Sequence, residues 1–196
     1  MNPITVAFFG ISGSGKGTQA DMLEKFLNRE DPKRSVARAE MGALARAFMK
    51  TGTPLAKRTE EIVSSGGLLP SFIPIYLLVE VLKNFTGEEH LILDGTCRKP
   101  FQSMVADEIV NFYGRTDKHA IMLTLGKEAA RARLVSRGRH DDATEAALLR
   151  RFAWFEQDVI PAYNTLEELG WAMHEINGED DIESIHKTIL SNLHVA

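Results

Sequence analysis

The stretch GISGSGKGTQ, residues 10–19, follows directly on the apolar run ITVAFF at residues 4–9. Few chain paths satisfy that pairing. Four glycines in ten residues allow backbone conformations that a side chain forbids. An amphipathic pattern, TQADMLEKFLNR (residues 18–29), starts inside the same stretch, with Met22, Leu23, Phe26 and Leu27 on one face. A buried strand, a tight glycine turn and a helix open a βαβ unit, so the chain is expected to build around a parallel sheet.

The spacing Gly10-x-x-x-x-Gly15-Lys16 matches a phosphate-binding loop. Glycines let the backbone wrap an anion, with successive N–H groups pointing inward. The helix that follows aims its positive end at the same place. Lys16 adds a mobile point charge suited to β and γ phosphates. The plainer reading is a glycine-rich turn with a surface lysine, but the strand before it and the helix after it favour the phosphate loop. A dinucleotide fingerprint, GxGxxG, needs a third glycine where Thr18 stands. Gly17 occupies the place of the usual hydroxyl ligand for Mg²⁺, and Thr18 comes one step later. That weakens a GTPase reading.

Short apolar runs then alternate with helical patterns. Strands are expected at residues 4–9, 36–37, 90–93, 120–125 and 171–176. Helices are expected at 18–29, 42–50, 54–65, 70–85, 100–113, 127–137, 142–169 (kinked before Pro161) and 182–193. The expected fold is therefore α/β: a three-layer arrangement of the P-loop NTPase type, with a five-stranded parallel sheet covered by helices on both faces. The glycine loop, Asp94–Gly95 and the segment after Leu125 all fall at the carboxyl ends of strands, where such sheets bind ligands.

Composition narrows the setting. The 196 residues suit one domain, and a net charge of −4 advertises no nucleic-acid partner. The single Cys97 cannot form an internal disulfide, which fits a reducing, cytoplasmic location. The longest apolar stretch, Leu68–Leu82, is broken by Pro70, Ser71, Pro74 and Glu80, short of the roughly 18 residues of a membrane span. A monomer is expected. The histidines, among them His119, His140 and His174, show no paired ligand spacing and read as structural or exposed. Phe152, Trp154 and Phe155 read as core.

Phosphoryl transfer asks the protein chiefly for converging cations. RARLVSRGRHDD, residues 131–142, holds Arg131, Arg133, Arg137 and Arg139, with Arg150 and Arg151 on the next helix. Arg133 and Arg137 share a helix face. Asp141 and Asp142 are placed to hold arginines or cap the next helix. Arg131 and Arg151 read as ordinary surface charges.

At this point the chain resembles a nucleoside monophosphate kinase of the adenylate kinase family over nearly its whole length. The carriers are GISGSGKGTQ, Arg46 in GALARAF, GGLLP at 66–70, DGTCR at 94–98, Gln102, and RLVSRGRHDD followed by Arg150. The resemblance implies a single kinase domain over 1–196, a helical monophosphate-binding lobe at 39–70 and a very short lid at 137–142. It implies transfer from ATP to AMP, giving two ADP. ATP would lie on Gly13, Ser14, Gly15, Lys16, Gly17 and Thr18, with Arg133 stacked on its adenine. AMP would be bound by Met41, Arg46, Gly67, Leu68, Leu69, Gly95, Arg98, Gln102, Arg139 and Arg150. Arg46, Arg98 and Arg150 would orient the acceptor phosphate, and Lys16, Arg137 and Arg139 would stabilise the moving group. Asp94 would hold Mg²⁺, brought as Mg·ATP, through its waters, with no protein ligand bonded directly to the metal.

Several positions depart from the family pattern. Ser12 stands for a frequent Pro, Glu40-Met41-Gly42-Ala43 for S-T-G-D, and Thr96-Cys97 for an aromatic-Pro pair. A lid of only Gly138 between Arg137 and Arg139 implies some leakage to ATP hydrolysis. Glu40 is expected to cap a helix or pair with Arg38 or Arg46. A UMP/CMP kinase stays open because of Met41. A weakly active nucleotide-binding regulatory or assembly factor stays open as a different class, though it needs fewer converging cations. A shikimate- or gluconate-type kinase fits the Arg46 and GGLLP segments less well.

Overall fold

The computed structural model describes residues 2–137 and 144–195, and of Arg137 only the backbone. The elements are β1 (Thr5–Gly10), α1 (Lys16–Glu30), β2 (Val36–Glu40), α2 (Met41–Met49), α3 (Pro54–Ser64), α4 (Phe72–Leu82), β3 (His90–Asp94), α5 (Pro100–Phe112), β4 (Lys118–Thr124), α6 (Lys127–Arg137), α7 (Glu145–Trp154), α8 (Ile160–Glu168), β5 (Ala172–Asn177) and α9 (Ile182–Asn192). The strands form one parallel sheet in the order β2-β3-β1-β4-β5.

β1 lies at the centre, and its apolar run splits by strand periodicity. Ile4, Val6 and Phe8 face α1 and α9 through Ala20, Leu23, Leu27, Ile185 and Ile189. Ala7 and Phe9 face the other layer, packing with Leu78, Ala106, Val110, Ala162 and Leu166. A strand buried on both faces has no polar side, which is why ITVAFF is uninterrupted. Chain order reverses across β1, so the loop after it opens into the crevice of the sheet.

The edge strand β2 runs five residues, beyond the two that the apolar pair Val36–Ala37 marks. Arg38 and Glu40 hide the rest from hydropathy, yet the whole run pairs with β3. The long helical pattern after the lid resolves into α7, a π turn at Phe155–Val159 and α8. The Ile160 N–H donates to the Phe155 carbonyl, five residues back. Pro161 has no N–H to donate and crowds the carbonyl four residues before it, so the helix widens just ahead of it. Helix starts carry ordinary signals. Thr53, Thr144 and Asp181 accept from Ala56, Ala147 and Ser184 N–H groups respectively, each worth about 1 kcal/mol.

Among the described residues no group of three or more His, Cys, Asp or Glu gathers, and His140 lies outside the described residues. His90 is fully buried, and its Nδ1 accepts from the Ile4 N–H at 3.2 Å. Burial, above all, lowers the pKa of His90, and likewise of His174 and His186. Below the unfolded value of about 6.5 the unfolded chain binds protons that the folded chain refuses, so stability falls as pH falls. Thermal melts are expected to drop progressively as the pH is lowered from 7 through 6. A melting temperature that rises over that range contradicts the neutral buried imidazoles.

Candidate nucleotide-binding cleft

A cleft of about 650 Å³ opens at the carboxyl edge of the sheet, lined by the glycine loop and by segments of the 39–70 region, β3 and α7. The loop is shaped by its glycines. Gly13 has φ +90° and Gly15 φ +95°. A β-carbon on Gly13 would stand 2.9 Å from the Ala130 carbonyl oxygen, so α6 packs directly on the loop. The Lys16 ammonium donates to the carbonyls of Gly10 at 2.7 Å and Ile11 at 2.9 Å, holding it within the loop. Gly15 caps α1 in the left-handed conformation, and Gly17 and Thr18 lie in the first turn, whose N–H groups have no partner inside the helix.

Asp94 ends β3 and is 7% exposed. A β-carbon on Gly17 would lie 3.6 Å from its Oδ2, in ordinary contact, so the position of the missing hydroxyl adjoins a buried carboxylate. One hard oxygen ligand next to a phosphate loop suits Mg²⁺ held by phosphate oxygens and waters. The residues present therefore fit that ion without a protein cage.

Arg38 escaped the motif reading. Its guanidinium lies in this cleft, 3.2 Å from Asp94 Oδ2 and 3.1 Å from Glu24 Oε2, and pairs with Asp21 as well. Burial works against the charge, but hydrogen bonds to Asp21 and Glu24 and the field of Asp94 outweigh it and keep the group firmly protonated. Only the β2 extension aims Arg38 here, and hydropathy misses that extension.

On the opposite wall, Arg46 pairs with Glu40 at 3.3 Å. Met41 is 3% exposed and packs with Ala45, Leu69, Ile73 and Leu77. Gly67, Leu68 and Leu69 line the same wall. Gly95 has φ +64°, and the turn lets Arg98 Nε donate back to the Gly95 carbonyl at 2.9 Å. The Arg98 guanidinium stands 5.4 Å from the Trp154 ring centre. Trp154 is thus part of the cleft wall rather than core alone, and its Nε1 donates to the Gly66 carbonyl at 3.1 Å. Gln102 Oε1 accepts from the Arg98 N–H at 2.8 Å, while its amide nitrogen donates to Ser71 at 3.4 Å. Each end of the amide keeps one further site, an acceptor on the oxygen and a donor on the nitrogen.

On the donor side, Arg133 Nη1 donates to the Gly178 carbonyl at 2.9 Å, beside Asp180 and Ile182 on the cleft wall. The two α7 arginines differ in placement. Arg150 is exposed and donates to the Ser65 carbonyl at 2.9 Å, away from the cleft, whereas Arg151 lines it. Burial of Ala147, Leu148 and Phe152 fixes the helix rotation, and adjacent residues then point about 100° apart. The Arg137 side chain, Arg139 and the lid beyond Arg137 lie outside the described residues. Arg131 pairs with Glu145 on the surface. Arg131→Ala is expected to leave turnover within about twofold, since an exposed pair contributes at most about 1 kcal/mol. A large loss in steady-state assays would overturn that placement.

A phosphate loop at the sheet switch point, facing a second wall of arginines across one cleft, defines a P-loop phosphotransferase acting between two phosphorylated ligands. A family profile described as adenylate kinase matches residues 8–171. The chain is similar to adenylate kinase 1 of Nostoc sp., 30% identical with 95% of this chain and 96% of the relative covered. It is similar to adenylate kinase of Synechococcus sp. at 30% identity, covering 92% and 91%. It is also similar to adenylate kinase of Desulfovibrio desulfuricans at 27%, covering 97% and 100%. The chain belongs to the adenylate kinase family. Its enzyme class is that of an ATP:AMP phosphotransferase, a nucleoside monophosphate kinase. Among the described residues no helix is long and apolar enough to cross a membrane.

Proposed function

We propose that the cleft binds Mg·ATP on the glycine loop and AMP against the Arg46–Arg98 wall, and transfers the γ-phosphoryl group in line. The observation that carries the proposal is the facing of Lys16 in its loop by Arg46 and Arg98 across one cleft. The acceptor is already an ionised phosphate, so an AMP phosphate oxygen attacks the γ-phosphorus without a general base. Gly13, Ser14, Gly15, Gly17 and Thr18 present N–H groups to the donor phosphates. Lys16 neutralises charge as the bond to the leaving oxygen breaks. Asp94 would hold the waters of Mg²⁺, and the metal would supply charge neutralisation on the phosphate oxygens. Arg133 flanks the donor base. Arg46 and Arg98 orient the acceptor phosphate, and Arg151, which lines the cleft, supplies the third cation that the sequence expects of Arg150. Arg137 and Arg139 act from the lid. Gly67, Leu68, Leu69 and Gly95 shape the acceptor wall, and Gln102 donates to a ring nitrogen of the acceptor base.

In this reading residues 39–70 form the acceptor lobe and 137–142 the lid. The enzyme works as a monomer, since one chain lines both subsites, and the buried free thiol of Cys97 suits a reducing, cytoplasmic setting. A coupled assay of transfer from Mg·ATP to AMP, UMP, CMP, GMP and dTMP tests it. Strong preference for AMP is expected. Preference for a pyrimidine would assign the base wall to Met41, which offers no hydroxyl. Transfer to none would overturn the proposal.

A further inference from the structure

Four side chains of alternating charge cross the floor of the cleft. Arg46 meets Glu40 at 3.3 Å, Glu40 meets Arg38 at 3.8 Å, and Arg38 meets Asp94 at 3.2 Å. The outer pair is accessible: the Glu40 and Arg46 side chains are each 39% exposed. The inner pair is not, with Arg38 at 13% and Asp94 at 9%. The geometry points to a charge relay in which Glu40 and Arg38 are positioning residues that couple the acceptor subsite to the donor subsite. This rests on the reading above, in which Arg46 takes the acceptor phosphate and Asp94 the waters of the metal.

The sequence of exchanges follows from which atoms are shared. A dianionic phosphate displaces a single carboxylate from Arg46, because charge-assisted bonds to phosphate are stronger and can be bidentate. Glu40, once released, is already beside Arg38. The same nitrogen of Arg38, Nη2, faces both Glu40 Oε2 and Asp94 Oδ2. Drawing Glu40 closer to Nη2 loosens that nitrogen's hold on Asp94, which frees the carboxylate for the waters of a cation. Acceptor binding therefore favours Mg·donor binding, and by linkage the donor favours the acceptor by the same factor. Arg38 does not drift away in the exchange, because Asp21 and Glu24 anchor its other nitrogen.

Calorimetric titration of the full chain with AMP tests this, alone and saturated with Mg²⁺ and a non-hydrolysable ATP analogue. In the native chain the analogue is expected to tighten AMP by at least about fivefold. Glu40→Gln is expected to bind AMP alone about two- to fivefold more tightly, since no half-exposed ion pair has to be broken. Its ratio of affinities with and without the analogue should fall close to one. Arg38→Met should also lose the ratio. Retention of the native ratio in either folded variant overturns the relay, even where AMP alone binds more tightly, because the effect is then only that of a removed charge. Absence of coupling in the native chain overturns it as well. Should Arg38→Met fail to fold, Glu40→Gln decides alone. Native protein that binds both nucleotides yet transfers no phosphate would instead defeat the functional reading on which the relay rests.

Discussion

Lys16→Ala is expected to lower turnover by about a thousandfold or more while the protein stays folded. The size follows from what the group does. A preorganised cation aimed at charge that develops only during transfer contributes far more to the transition state than to the ground state, and single cations in phosphoryl transfer are worth about 10³–10⁵. The structural loss is much smaller. Lys16 makes bonds to the Gly10 and Ile11 carbonyls and a longer one to Ser14. A hydrogen bond of that kind stabilises by about 1 kcal/mol. Steady-state kinetics and a thermal melt on the same preparation separate the two effects. A melt within a few degrees of the native chain, with turnover down by three orders, is the expected pair. Native-like turnover would remove Lys16 from the mechanism.

Much of this site was legible in the sequence because it is built from local signals. A phosphate loop needs glycines at fixed offsets between a strand and a helix, and those offsets survive as spacing in residues 10–18. Asp94–Gly95 and Arg98 form a turn whose geometry is also local: a positive φ at Gly95 lets Arg98 fold back onto its own carbonyl. What stayed hidden has one common cause, the direction in which a side chain points once tertiary packing sets the element. Arg150 and Arg151 are neighbours in sequence, and only the burial of Ala147, Leu148 and Phe152 decides which one meets the cleft. Arg38 looks like a charge in a loop until β2 pairs with β3 along its whole length. Trp154 reads as core from its helical spacing and does pack against the core beside Phe155, but the spacing does not show that its ring also meets Arg98.

Arg98→Ala is expected to reduce kcat/KM for the acceptor by several orders of magnitude and to leave donor binding nearly unchanged. Three contacts preorganise this arginine: its Nε is held by the Gly95 carbonyl, its plane stands near the Trp154 ring, and its backbone N–H is held by Gln102. A side chain fixed in this way loses little entropy on meeting a phosphate, and its fork suits a paired contact that a lysine cannot reproduce. Arg98→Lys should therefore recover only a small part of the loss. The Ala variant keeps the backbone N–H that Gln102 accepts, so the base wall stays in place and the defect belongs to the phosphate. Donor affinity measured by titration with a non-hydrolysable ATP analogue provides the internal control. Equal losses for donor and acceptor would mean that Arg98 only braces the cleft, and native-like kinetics would remove it from the acceptor site. The expected split, a collapsed acceptor kcat/KM beside an intact donor affinity, follows from a cation that touches one substrate and stands across the cleft from the other.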